Sequence, residues 1–202
     1  MRELILRAHD SSNVQLRAFP RQRYYAATCM KFINWIRFSW DLTQLPPPSA
    51  ELPEHYEIGP AGLEDEKELR KVISSSIILD PAWNAAMHEV METIDSWLGA
   101  ALTSPTTTCL ALRHGVRIIG AAVVSQDADA ETHLSPGPCV SMEYRNRGFG
   151  THLLEQSLTI LRDAGLKEAI AIATESAPVT KFLYPKFNGT ASPHNFRPLL
   201  AA

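Results

Sequence analysis

The stretch from Cys139 to Leu154, CVSMEYRNRGFGTHLL, constrains this chain most, because a short apolar run breaks into an arginine- and glycine-rich turn and re-emerges as a helix. At the start of a helix several backbone N–H groups lack a partner and the peptide dipoles add partial positive charge, so an anion placed there is held by the backbone itself. Gly148 and Gly150 let a ligand approach without a Cβ in the way, and Arg145 and Arg147 add formal charge. The stretch reads as a cradle for a phosphate ester. Glycines kept only for strand–helix packing are the plain alternative.

The spacing excludes two familiar cradles. No Gly-Lys-Ser/Thr follows at the ATP-type spacing, and Arg145-x-x-Gly148-x-Gly150 lacks the first glycine of the dinucleotide fingerprint. The pattern resembles the acetyl-coenzyme A motif of the GCN5-related N-acetyltransferases (GNAT), in which a strand ending in Val precedes Arg/Gln-x-x-Gly-x-Gly/Ala. Here the matching residues are Val140, Arg145, Gly148 and Gly150.

The order of elements points the same way. Pro46, Pro47, Pro48 and Pro53 favour extended chain and separate an N-terminal extension, 1–52, from a domain over 53–202. His55 to Ile58 reads as a strand, and the segment from Gly62 as an amphipathic helix. Asp80 and Pro81 form a helix start, and Trp83, Met87, Val90, Met91, Ile94, Trp97 and Leu98 recur at helical intervals. Thr106 to Arg113 and Val116 to Ser125 read as strands joined through His114-Gly115, and Thr132 to Val140 as a third leading into the cradle. The helix after the cradle stops at Gly165; Lys167 to Ala173 is a further strand and Pro178 to Tyr184 a last helix. This is the order of the GNAT acyltransferase fold, an α/β (α+β) arrangement with a mixed central sheet flanked by helices, over about Glu54 to Asn188.

The resemblance implies direct transfer of an acetyl group from acetyl-coenzyme A, as co-substrate, to an amine of a small molecule or peptide. In it, backbone groups of Cys139, Val140 and Ser141 pair with the pantetheine arm, the Val140 N–H nearest the acetyl oxygen. The amides of Arg145, Asn146, Arg147, Gly148, Phe149, Gly150 and Thr151 hold the pyrophosphate. The Cys139 side chain reads as packing. Phe182-Leu183-Tyr184-Pro185-Lys186-Phe187 resembles the family segment whose tyrosine donates a proton to the departing thiolate, a role for Tyr184; a half-buried aromatic reaching water is the alternative. An alkylamine is mostly protonated at neutral pH, so attack requires a base. Glu131 and His133, with Glu143 further along, are candidates, each also readable as a solvated loop charge or an ordinary surface histidine. Ser135-Pro136-Gly137-Pro138 makes the strand irregular, either bulged toward a ligand or a simple edge.

The chain departs from the family pattern in three places. Ala177 stands where an asparagine is common, Asn188-Gly189 where Gly-Phe is expected, and Thr190 to Ala202, with Pro193 and Pro198, replaces two terminal strands. A non-catalytic acyl-coenzyme A-binding module on the same fold is therefore the rival reading. In the N-terminal extension, 3–8 and 14–19 are strand candidates that could fill the vacated place in the sheet. Tyr24 to Leu42 reads as a helix whose stripe of Tyr25, Cys29, Phe32, Ile33, Ile36 and Trp40 is core or homodimer contact, with membrane-surface or ligand roles as alternatives.

Composition sets the remaining bounds. With 202 residues and 45% hydrophobic content the chain can bury a full core, and a net charge of −3 argues against a nucleic-acid partner. Cys29, Cys109 and Cys139 are scattered and lack metal-ligand spacing, which predicts reduced thiols, no metal and a cytoplasmic protein, and Lys31, Asn34, Arg37 and Asp41 interrupt the most apolar window, Tyr24 to Leu42, which predicts no membrane span.

Overall fold

The structure is a computed structural model that describes residues 34–49, 51–78 and 87–194. Ten elements follow in chain order: β1 Trp35–Asp41, β2 Tyr56–Pro60, α1 Glu66–Ile78, α2 Met87–Thr103, β3 Thr107–His114, β4 Arg117–Ser125, β5 Cys139–Val140, α3 Phe149–Asp163, β6 Glu168–Thr174 and β7 Thr190–His194. Short helical turns occupy Val179–Leu183 and Tyr184–Phe187 in place of the expected last helix. The strand candidates at 3–8 and 14–19, the start of the aromatic stripe and the Asp80-Pro81 helix start lie outside the described residues.

The strands form two antiparallel sheets, ordered β2-β3-β4-β5 and β6-β1-β7. β4 is the spine of the first and is buried along almost its whole length. Its Ile119, Ala122 and Val124 join Leu153, Leu154, Leu158 and Leu161 of α3 in one core. Ile118, Ala121 and Val123 join Leu69, Val72 and Ile73 of α1 and Ile94, Leu98 and Ala101 of α2 in the other. A strand with helices on both faces must be apolar on both, which is why this run reads as continuous rather than alternating. The β3–β4 turn falls one residue later than expected, at Gly115-Val116, with His114 level with Arg117.

The largest correction concerns the aromatic segment. Trp35–Asp41 is a strand, not the end of a helix over 24–42, and it forms the middle of the second sheet. It pairs with β6 from Trp35↔Thr174 to Asp41↔Glu168 and with β7 from Trp35↔His194 to Ser39↔Thr190. Phe32, Ile36 and Trp40 fit a spacing of four, but Ile36, Phe38 and Trp40 fit a spacing of two equally well. Neighbours with open ladders on both sides decide between them, because a strand placed there satisfies its N–H and C=O groups on both edges. Phe38 and Trp40 are buried, and Trp40 meets Tyr184 edge-on at 5.0 Å. Ile36 and Trp40 therefore serve the core rather than a helical dimer face, and the Leu52 boundary does not separate β1 from the sheet. β7 forms despite Pro193, which sits on the outer strand of the three.

The Thr132–Val140 strand is reduced to a single bridge at Leu134 and the pair Cys139–Val140. Leu134 bridges Val124 of β4 on one side and Ala171 of β6 on the other. With His133 it links the two sheets.

Replacing Trp40 with alanine should cost about 3–5 kcal/mol, the usual penalty for removing a large buried aromatic. Urea unfolding of the variant against the parent chain measures it, and a loss below ~1 kcal/mol would mean that β1 is not integral to the sheet.

Candidate functional site

The site begins where the sheets part. Ile170 of β6 accepts the N–H groups of His133 (2.7 Å) and Leu134 (3.3 Å) and donates its own N–H to His133 Nδ1 (2.9 Å). His133 thus meets β6 with a ring nitrogen, while its carbonyl turns the other way to accept from Ser125 (2.8 Å). Beyond this point the segment continues along β4, through Val123 N–H to Pro136 O (3.1 Å) and Ser141 N–H to Ile119 O (2.8 Å). Past the bridge from Leu134 to Ala171 it makes no further bridge to β6 among the described residues. With the Ser141 amide turned toward β4, strand alternation turns the Val140 amide to the opposite, unpaired edge.

The cradle is built at the end of this edge. Ser141 precedes a tight turn over Met142–Tyr144; Asn146 and Gly148 take left-handed φ values of 62° and 85°, and α3 starts at Phe149. Glycine at 148 is required by its backbone angle, since a Cβ there would meet no atom within 4 Å. Left-handed residues in a turn are the device by which successive N–H groups converge on an anion. The outermost amides of the expected set are engaged: Arg145 donates to Met142 O (3.2 Å) and Thr151 to Gly148 O (2.8 Å). Those of Asn146, Arg147, Gly148, Phe149 and Gly150 have no carbonyl partner among the described residues.

The arginines act as braces. Arg145 Nε donates to Val140 O (2.9 Å), tying the turn to the strand, and Arg147 donates to Glu143 O (3.0 Å) with its guanidinium over the Tyr144 ring. Phe149 is buried against Tyr56, which stacks on His114 at 4.5 Å. This packing fixes the start of α3 through its side chain and leaves its amides outward.

Tyr184 reaches the same strand. It is only 2% exposed, not half-buried, and packs edge-on against Phe38 and Trp40. A Cβ on Gly137 would collide with its hydroxyl. Burial, together with the neighbouring Cys139, pushes the hydroxyl above the ordinary tyrosine range, so it stays protonated. Burial likewise pushes the Cys139 thiol up to about 11. Gly137, β1 and the Tyr56–His114 stack carry no local sequence signal for these tasks.

The candidate bases separate. Glu143 is exposed and bonded to Arg117 (2.8 Å); its carboxyl is held low by its own backbone N–H, with Arg117 adding to the effect. His133 is buried rather than superficial, and its Nδ1 lone pair is engaged by Ile170. Glu131 faces His194 of β7 at 3.6 Å and keeps about half of its side chain in solvent (55%). Among the described residues no group of three or more His, Cys, Asp or Glu could hold a metal ion, and no helix is long and apolar enough to cross a membrane.

Comparison with known proteins places this geometry in context. The family model described as "Acetyltransferase (GNAT) family" matches residues 72–188. The fold is similar to that of a GCN5-related N-acetyltransferase from Sphaerobacter thermophilus, at TM-score 0.56 and 19% identity, over 80% of this chain and 49% of that one. It is also similar to a GCN5-related N-acetyltransferase from Ralstonia eutropha JMP134, at TM-score 0.56 and 12% identity, over 72% of this chain and 99% of that one. The chain thus spans less than half of the first protein and nearly all of the second. No curated protein matches it.

Burial holds the His133 ring below its ordinary value of 6.5, with Arg37 acting in the same direction and Glu168 opposing it. Around and below pH 6.5 the unfolded chain binds more protons here than the native one. The stabilisation is complete above that pH and is lost as pH falls through the lower native value. The thermal midpoint should therefore drop between pH 7.5 and 5.5, and less so in His133→Asn, whose Oδ1 can accept from Ile170 without titrating. Equal slopes in thermal melts of the two proteins would refute this.

Proposed function

Because the chain belongs to the GNAT acetyltransferase family, we propose that it transfers an acetyl group from acetyl-coenzyme A to an amine of a small molecule or peptide. One observation carries the reading: five unpartnered amides at the start of α3 lie at the end of a strand edge left open by the divergence of two sheets. That edge suits an extended amide-bearing arm, and the amides suit its pyrophosphate.

When bound, acetyl-coenzyme A supplies a thioester, whose acetyl carbon forms the new C–N bond and whose sulfur departs as a thiolate. The chain binds, orients and moves protons. The amides of Asn146 to Gly150, with the dipole of α3, hold the pyrophosphate, while the open edge at Val140 aligns the arm. The Val140 carbonyl already accepts from Arg145 and has a second lone pair for the arm. The Val140 N–H is aimed where negative charge grows on the acetyl oxygen.

Tyr184, kept protonated by burial, gives its hydroxyl proton to the departing sulfur. Glu131, paired loosely with His194, takes the proton that the amine must lose. The Cys139 thiol, at about 11, stays neutral and is no nucleophile, so the amine attacks the thioester directly.

Acetyl-coenzyme A at ~100 times its dissociation constant should stabilise the parent chain by ~2.7 kcal/mol, and Arg147→Glu, Gly150→Trp should abolish that shift while remaining folded. Its absence at millimolar ligand would end the reading. With a panel of amines, Tyr184→Phe should lower kcat by about 100-fold with little change in KM, whereas Cys139→Ala should keep its turnover. Binding without turnover of any amine would instead favour the non-catalytic module.

A further inference from the structure

Building on that reading, we propose that the acceptor amine also carries a carboxylate, and that Arg37, on the strand inserted from the N-terminal segment, holds it. β1 buries alternate residues at Phe38 and Trp40. Ile36, Phe38 and Trp40 face α3, so Trp35, Arg37 and Ser39 face the other way. By register they stand level with Thr174, Ile172 and Ile170 of β6 and with His194, Ser192 and Thr190 of β7.

This face of the second sheet lies opposite α3, and α1 and α2 pack on β3, β4 and β5 instead. It adjoins the point where the sheets part, since Ile170 is the residue bonded to His133 and Ile172 lies level with Arg37. Glu131 reaches the same face through His194. β6 borders the open strand edge and β1 stands next to it, so the face beside that edge carries Trp35, Arg37 and Ser39.

Arg37 is half-buried, yet no ion pair among the described residues includes it. Its charge is felt at His133, whose protonation it disfavours. A partly desolvated guanidinium without an anion is costly, and its planar fork is matched by a carboxylate. Of the polar groups that meet this face, Glu131 is the carboxylate beside β7: it lies 3.6 Å from Nε2 of His194, which stands level with Trp35, two residues along β1 from Arg37. An ammonium drawn to Glu131 and a carboxylate drawn to Arg37 describe an amino acid or a similarly compact zwitterion, with the half-buried Trp35 ring as a flat side wall.

The test uses paired acceptors with acetyl-coenzyme A: phenylalanine against phenethylamine, tyrosine against tyramine, histidine against histamine. In each pair that turns over, the carboxylated member should have the higher kcat/KM by about 10- to 100-fold. Arg37→Gln should erase that preference through the acceptor KM while leaving the KM for acetyl-coenzyme A unchanged, and Arg37→Lys should restore part of it. Equal use of both members, or equal losses for both in Arg37→Gln, would overturn the proposal while leaving acetyl transfer intact. If no pair turns over, calorimetric titration with N-acetylglycine and N-acetylglycinamide decides. Binding of the acid alone, lost in Arg37→Gln, supports the site; equal or absent binding refutes it. The thermal shift with acetyl-coenzyme A reports separately on the transfer reading.

Discussion

Ile170 and His133 together determine how the two sheets meet. An ordinary ladder would continue from Leu134 along β6, and the strand edge carrying Val140 would be closed by backbone bonds. Instead the His133 carbonyl goes to Ser125 and its imidazole accepts the Ile170 N–H. A side chain thus takes the place of one ladder bond, and beyond Leu134, whose N–H still reaches Ile170 O, Pro136 and Pro138 contribute no N–H groups to resume the ladder. Burial disfavours the protonated ring, and the neutral ring is the one whose Nδ1 can accept. The open edge, the cradle at its end and the access of Tyr184 to Gly137 all depend on this parting.

Around it, rigidity comes from packing rather than from charge. Phe38, Trp40 and Tyr184 form one aromatic group linking β1 to the turn over Tyr184–Phe187, and Tyr56, His114 and Phe149 form a second beneath the start of α3. Arginines that could be read as ligand contacts hold the loop: Arg145 on the Val140 carbonyl, Arg147 on that of Glu143. A preorganised cradle needs such braces, because amides that must converge on an anion repel one another until it arrives.

Where sequence and structure agree, the signal is local. The helix after the cradle, its stop at Gly165 and the β3–β4 pair each follow from residues close together in the chain. Where they disagree, the deciding contacts are distant. His133 looks like a surface histidine until Ile170, 37 residues away, donates to it. Arg145 and Thr151 look like ligand-binding amides until their own turns engage them. Glu131 acquires a neighbour only when β7 brings His194 beside it.

The Trp35–Asp41 segment shows the division most clearly. Its sequence alone determined that aromatic and branched residues would bury one face, and a glycine–arginine turn before an apolar helix determined where α3 begins. Sequence could not choose between periods of two and four in so short a run, because Ile36 and Trp40 satisfy both. Only the tertiary structure decided it: β6 and β7 leave a gap one strand wide, and filling it pairs the backbone of β1 on both edges while Phe38 and Trp40 complete the core over α3. Backbone groups that must all find partners, across the intervening chain from residue 42 to residue 167, make that choice where local preference is evenly balanced.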